Sequence, residues 1–125
     1  MDRQSPHLPQ AAEIDAYGKG GFRFAGMSHR GSLLCLPDGI WPCPVAKPQD
    51  IDEGTLALVL AAEPRIEHCL IGTGRDPWRL PADLAARFSE RGIAVETMTT
   101  GAAVRTYNIL LAERRRVAAL LIAVE

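Results

Sequence analysis

Two short stretches of this 125-residue chain bring together backbone amides and guanidinium groups suited to holding an anion. The first is Gly72-Thr73-Gly74-Arg75, followed by Asp76. The second is Thr99-Thr100-Gly101, with Arg105 one helical turn further on. Glycines after a strand let backbone N–H groups approach a ligand closely, and a helix N-terminus leaves its first N–H groups unpaired. Arg75 and Arg105 would add positive charge. The same residues also suit purely structural work. The glycines permit a tight turn, and Thr99 or Thr100 caps a helix. Gly72-Thr73-Gly74 lacks the later glycine of a dinucleotide fingerprint, and no Gly-Lys-Ser/Thr follows as a phosphate loop requires. Arg75 has the alternative of pairing with Asp76 or Glu96, worth about 0–1 kcal/mol at a surface.

Other side chains offer weaker chemistry. Tyr107 faces the predicted core, where its ring buries apolar area while its hydroxyl seeks a polar partner. Asn108 is suited to bonding a neighbouring loop backbone. A catalytic Tyr/Arg pair would need a substrate cleft, and no catalytic residue is assigned. Cys35, Cys43 and Cys69 form no CxxC pair and are odd in number, which argues against a disulfide framework or a thiolate zinc site. His7, His29 and His68 lie far apart, so no metal site and no cofactor are implied. Cys35 and Cys69 sit in apolar stretches and read as inert core residues. Cys43, between Pro42 and Pro44, is expected to be the most exposed. Trp41 and Trp78 each neighbour a proline in a predicted loop. Exposed, they would anchor a protein interface; buried, they would cover sheet edges.

Composition narrows the function classes. The chain is 47% hydrophobic and 23% charged, which fits a globular domain and not a disordered one. Its 14 Lys and Arg against 15 Asp and Glu give a net charge of −1, with no global pull toward nucleic acid or anionic lipid. Arg114-Arg115-Arg116 is a small basic footprint that reads as a solvated junction. No apolar run approaches the ~20 residues of a membrane span, so no direct membrane insertion is expected. The first ten residues contain neither an apolar run nor an arginine-rich pattern, and the expected location is cytoplasmic.

The elements that must position these residues can be read from periodicity. Residues 1–12 read as a flexible tail and 13–125 as one domain. Phe22, Phe24 and Ala25 suggest a strand entered through a flexible Gly18-Lys19-Gly20-Gly21. Met27–Gly31 reads as a hairpin turn leading to a second strand, Ser32–Leu36. Pro37-Asp38-Gly39 is a turn, and Pro42 and Pro44 argue for an edge strand or extended loop. Asp50 or Asp52 caps a helix carrying Leu56, Val59 and Leu60. The strand Ile66–Ile71 follows. Pro81 opens a helix bearing Leu84 and Phe88, which Gly92 ends. Then come the strand Ile93–Met98, a helix with Ala103, Val104, Tyr107, Leu110 and Leu111 on its core face, and the strand Val117–Val124. The alternation implies a parallel sheet of at least three strands with right-handed crossovers. An antiparallel N-terminal hairpin or ribbon either packs beside the sheet or extends it.

Several segments together resemble the Mth938-like family, a domain of unknown function. They are Ile71–Gly74, Gly92–Thr100, Ala102–Leu110 and Glu113–Leu121, with Ile14–Tyr17, Phe22–Gly26 and Gly31–Leu34 upstream. The resemblance implies a three-layer α/β fold with a mostly parallel central sheet. It carries no established catalytic residue. The family includes an assembly factor for mitochondrial respiratory complex I, which implies a bias toward a non-enzymatic interaction or assembly module with a protein partner. The alternative is an enzyme or sensor that binds a small polar or anionic ligand at the strand-end loops.

Overall fold

The structure, a computed structural model, describes residues 6–125. Two sheets form. The smaller is an antiparallel meander of β1 (Ala16–Gly18), β2 (Gly21–Phe24) and β3 (Met27–Arg30). The larger contains β4 (Ser32–Leu36), β5 (Gly39–Cys43), β6 (His68–Gly72), β7 (Ala94–Met98) and β8 (Val117–Leu121), in the order β5-β4-β8-β6-β7. The pairs β6–β7 and β6–β8 are parallel, whereas β4–β8 and β4–β5 are antiparallel. Only β4 runs against the other four strands. Parallelism is therefore confined in its hydrogen bonding to the C-terminal half, where helical crossovers make it possible.

The layers follow from alternation along strands buried on both faces. On one face, Leu34, Leu36, Trp41, Cys69, Ile71, Ala118 and Leu120 pack against α1 (Ala57–Ala61) and α2 (Ala82–Arg91), through Leu58, Val59, Leu84 and Phe88. On the other, Leu33, Cys35, Leu70, Val117, Ala119 and Leu121 pack against α3 (Thr100–Ala112) and against Phe22 and Phe24 of the small sheet. The result is a three-layer α/β fold, as the motif pattern implied.

Several local expectations change. Met27–Arg30 is strand β3, and the hairpin turn lies one step earlier at Ala25-Gly26, both left-handed with φ of 50° and 73°. Lys19-Gly20 makes a similar two-residue turn between β1 and β2, with φ of 53° and 80°. Such turns match the natural strand twist. The expected β2–β4 hairpin does not form, because β4 pairs with β5 and β8. The helix after Asp52 is shorter than the pattern suggested, since Asp52 and Thr55 close a turn before it: the Thr55 N–H donates to Asp52 Oδ1 at 2.8 Å. Pro81 stands at the cap of α2 and not within its first turn. Gly92 ends α2 in the left-handed region, at φ 70°.

Of the expected tail, residues 1–5 lie outside the described residues. The remainder is fastened to the domain. Leu8 and Ile40 exchange backbone hydrogen bonds of 2.9 and 3.2 Å along the outer edge of β5. Pro42 lies in β5 with its ring exposed, at the edge position expected of a strand proline.

Candidate functional site

β6 and β7 run parallel in a register that pairs Gly72 with Met98, so the loops leaving both strands open at one edge of the sheet. There Thr100 is the central residue. It is fully buried. Its hydroxyl donates to the Ile122 carbonyl at 2.7 Å and accepts from the Gly74 N–H at 2.9 Å, while its own N–H donates to the Gly74 carbonyl at 2.9 Å. One side chain thus joins the ends of β6, β7 and β8. The Thr73 N–H donates to the Met98 carbonyl at 2.8 Å, and its hydroxyl donates to the Asp76 carbonyl at 2.8 Å. Gly72 allows α3 to approach: an added Cβ would lie 3.0 Å from Thr100 Cα and 3.1 Å from Ala103 Cβ. Gly74 adopts φ 94°, a conformation that favours glycine. Thr99 caps α3 through a long 3.4 Å bond from the Ala102 N–H.

The predicted residues therefore separate into two groups. Gly72, Thr73 and Thr100 are consumed in closing the loops. Gly74, Arg75, Thr99 and Arg105 line an open cavity of about 470 Å³ outside them. Both arginines are exposed. The Arg75 guanidinium donates to the Glu125 backbone carbonyl, so neither Asp76 nor Glu96 is its partner; Glu125 follows Ile122, whose N–H is bound at the end of β6, and this brings it within reach.

Five residues of this groove were not expected there: Tyr17, Gly18, Ala102, Val124 and Glu125. Tyr17 is 44% exposed and lies over Gly101, where any Cβ would run into its hydroxyl. Glycine within a helix costs roughly 1 kcal/mol against alanine, so its presence at the start of α3 was an available signal of close approach.

Tyr107 and Asn108 place Tyr17. Asn108 makes two 2.9 Å hydrogen bonds with Ile14: its Oδ1 accepts from the backbone N–H, and its Nδ2 donates to the carbonyl. The buried Tyr107 hydroxyl donates to the Ala12 carbonyl at 3.3 Å. Both side chains pin the segment leading into β1. Burial, reinforced by the adjacent Cys35, pushes the Tyr107 hydroxyl pKa well up, so it remains a donor at neutral pH.

The other candidates are core residues. Trp41 is 4% exposed and Trp78 is half-buried against the same core face. Trp41 therefore covers the sheet and is not an exposed anchor. Cys43 is the most exposed of the three cysteines, as expected, but at 6% it too is buried, because β5 turns its side chain inward between two prolines. Burial pushes the Cys35 and Cys69 thiols up to about 12, and raises that of Cys43. Among the described residues, no group of three His, Cys, Asp or Glu is placed to hold a metal ion. None of their helices is long and apolar enough to cross a membrane.

A family model described as "Protein of unknown function (DUF498/DUF598)" matches residues 14–122. A mouse protein, NADH dehydrogenase [ubiquinone] 1 alpha subcomplex assembly factor 3, is 39% identical over 92% of this chain; the chain spans 62% of that protein's length. A crystal structure of a Bartonella henselae protein described as an outer membrane protein is 53% identical, with a TM-score of 0.90, covering 95% of this chain and all of that one. A Bordetella pertussis solution structure described as a Mth938-like domain is 28% identical, with a TM-score of 0.77, covering 98% of this chain and 92% of that one. Because the matched stretch takes in every strand and helix from β1 to β8, the chain belongs to the DUF498/DUF598 family, the Mth938-like group.

Proposed function

We propose that the chain is a non-enzymatic protein-interaction module that helps to build a multisubunit assembly. The observation that carries this is the closure of the strand-end loops around Thr100. A parallel α/β sheet usually opens a ligand crevice at that edge, and here the polar groups of Thr73, Gly74 and Thr100 are already paired with one another and with neighbouring backbone. The relation to an assembly factor for an NADH dehydrogenase subcomplex supports the same conclusion. Deleting the gene and resolving membrane complexes on native gels tests it. Accumulated subassemblies of a respiratory NADH dehydrogenase, cleared when the chain is restored, are expected. Normal assembly in the deletion strain would sink the proposal.

A second reading rests on a separate observation: Arg75 and Arg105 line one groove. An enzyme or sensor for a small anion would use that groove, with the first amides of α3 beside it. Saturable binding of inorganic phosphate or a small carboxylate by calorimetry, lost in Arg75→Gln/Arg105→Gln, would favour this alternative.

A further inference from the structure

Charge cancels over the whole chain but not over its surface. The outer face of the β1–β3 sheet forms a second cavity, of about 570 Å³. The strand registers align Ala16, Arg23 and Ser28 across one row and Gly18, Gly21 and Arg30 across another. Side-chain alternation turns Ala16, Arg23, Ser28 and Arg30 outward, while Phe22 and Phe24 enter the core and Gly21 lies buried against the His29 carbonyl. The floor is therefore made of small residues, and Lys19, Arg23 and Arg30 stand around it.

This cavity and the Arg75–Arg105 groove share Tyr17 and Gly18, so the two adjoin at the edge strand β1. Their linings also converge at Gly20, where an added Cβ would lie 3.7 Å from Arg30 Nη1 and 3.4 Å from Glu125 Oε2. Five cations line the combined surface: Lys19, Arg23, Arg30, Arg75 and Arg105. The one carboxylate among the lining residues is Glu125. No ion pair among the described residues engages any of the five cations.

We propose that this surface binds an acidic polypeptide segment in extended form. The proposal rests on the interaction-module reading and supplies the partner's chemistry. Shape and charge argue for it together. Guanidinium groups match carboxylates in geometry as well as charge, and often take them in two parallel hydrogen bonds. A floor of glycine, alanine and serine leaves room for a main chain to lie close. Each cavity is recessed, and a bilayer, flat on this scale, does not enter either. Single-stranded nucleic acid asks for successive aromatic platforms, and Tyr17 is the sole exposed aromatic on this surface.

The test is a fluorescence-anisotropy titration at low salt with a labelled Glu-rich peptide of about ten residues, roughly 33 Å when extended. The same peptide with Gln for Glu, phosphatidylserine vesicles and a single-stranded oligonucleotide run beside it. The acidic peptide should bind saturably and the Gln peptide should not. Arg23→Gln/Arg30→Gln and Arg75→Gln/Arg105→Gln should each weaken binding on the order of tenfold, and added salt should weaken it further. Lysine at the same four positions keeps the charge but not the paired hydrogen bonds, and should bind between the native chain and the Gln variants. Circular dichroism checks that each variant is folded. Failure of the acidic peptide to bind, or binding indifferent to both double variants, would overturn the proposal. So would tighter binding of vesicles or oligonucleotide, which would assign the surface to lipid or nucleic acid. Returning the quadruple Gln variant to cells lacking the chain separates the two claims. Full recovery of assembly would overturn the surface and leave the module standing. Normal assembly without the chain would overturn the module, while the titration still judges the surface.

Discussion

Gly72 carries a close contact of the site that is made to a helix backbone. A methyl group there would press on Thr100 Cα and Ala103 Cβ, both on α3. Backbone cannot swing aside as a long side chain does, so Gly72→Ala should cost about 1–3 kcal/mol as α3 is levered off β6. Urea unfolding measures this, and an unchanged midpoint would mean that the helix rides loosely on the strand. The cysteines make a second residue-scale prediction. All three are buried, and burial raises their thiol pKa values. An aromatic disulfide reagent should therefore attack none of them quickly at neutral pH in the folded protein, and all three once it is unfolded. One fast equivalent in the native state would return Cys43 to the surface.

At the scale of elements, the two threonines at the start of α3 do different work. Thr99 offers a cap with a long hydrogen bond, and Thr99→Ala should cost about 0.5 kcal/mol, the low end of the range for caps. The Thr100 hydroxyl is buried and joins three strand ends. Thr100→Val keeps the shape but strands the Gly74 N–H and the Ile122 carbonyl, so it should cost about 2–3 kcal/mol. Comparing the two variants by denaturant unfolding, with hydrogen exchange at the Gly74 amide, checks the ranking. Equal losses would contradict the role given to Thr100. β3 marks the limit of pattern reading at this scale. Met27-Ser28-His29-Arg30 has no apolar alternation strong enough to announce a strand, and it pairs because the tight Ala25-Gly26 turn delivers it to β2.

For the molecule as a whole, the buried thiols set a pH dependence. The ordinary thiol value is 9.0, and Cys35 and Cys69 in the fold stand at about 12. Between these values the unfolded chain releases protons that the native state keeps. Stability is therefore fully present below about pH 9 and falls as pH rises toward 12, by roughly 1.4 kcal/mol per pH unit for each thiol. The raised Tyr107 pKa adds to the loss above about pH 10. Unfolding free energies measured from pH 8 to 11 should be flat at first and then decline. Cys69→Ala should make the decline shallower by one thiol's share. A flat profile throughout would mean that these groups are more solvated than the packing indicates.

Most of the framework was legible along the chain. Leu84 and Phe88 spaced by four, the apolar run of β8, and Gly92 after α2 each report burial or backbone conformation within one element, and local chemistry determines those properties. The family was legible for the same reason, since its motifs are contiguous. The structure brings Gly74, Arg75, Thr99 and Arg105 to one sheet edge, because strands joined by right-handed crossovers bring their loops together. Tertiary structure alone decided the rest. Trp41 and Cys43 look like loop residues until β5 pairs with β4 and turns them inward. The basic surface is assembled from positions 19, 23, 30, 75 and 105, which no local pattern links. A net charge of −1 conceals it, because a sum over the sequence carries no information about which charges share a face, and only packing sets those distances.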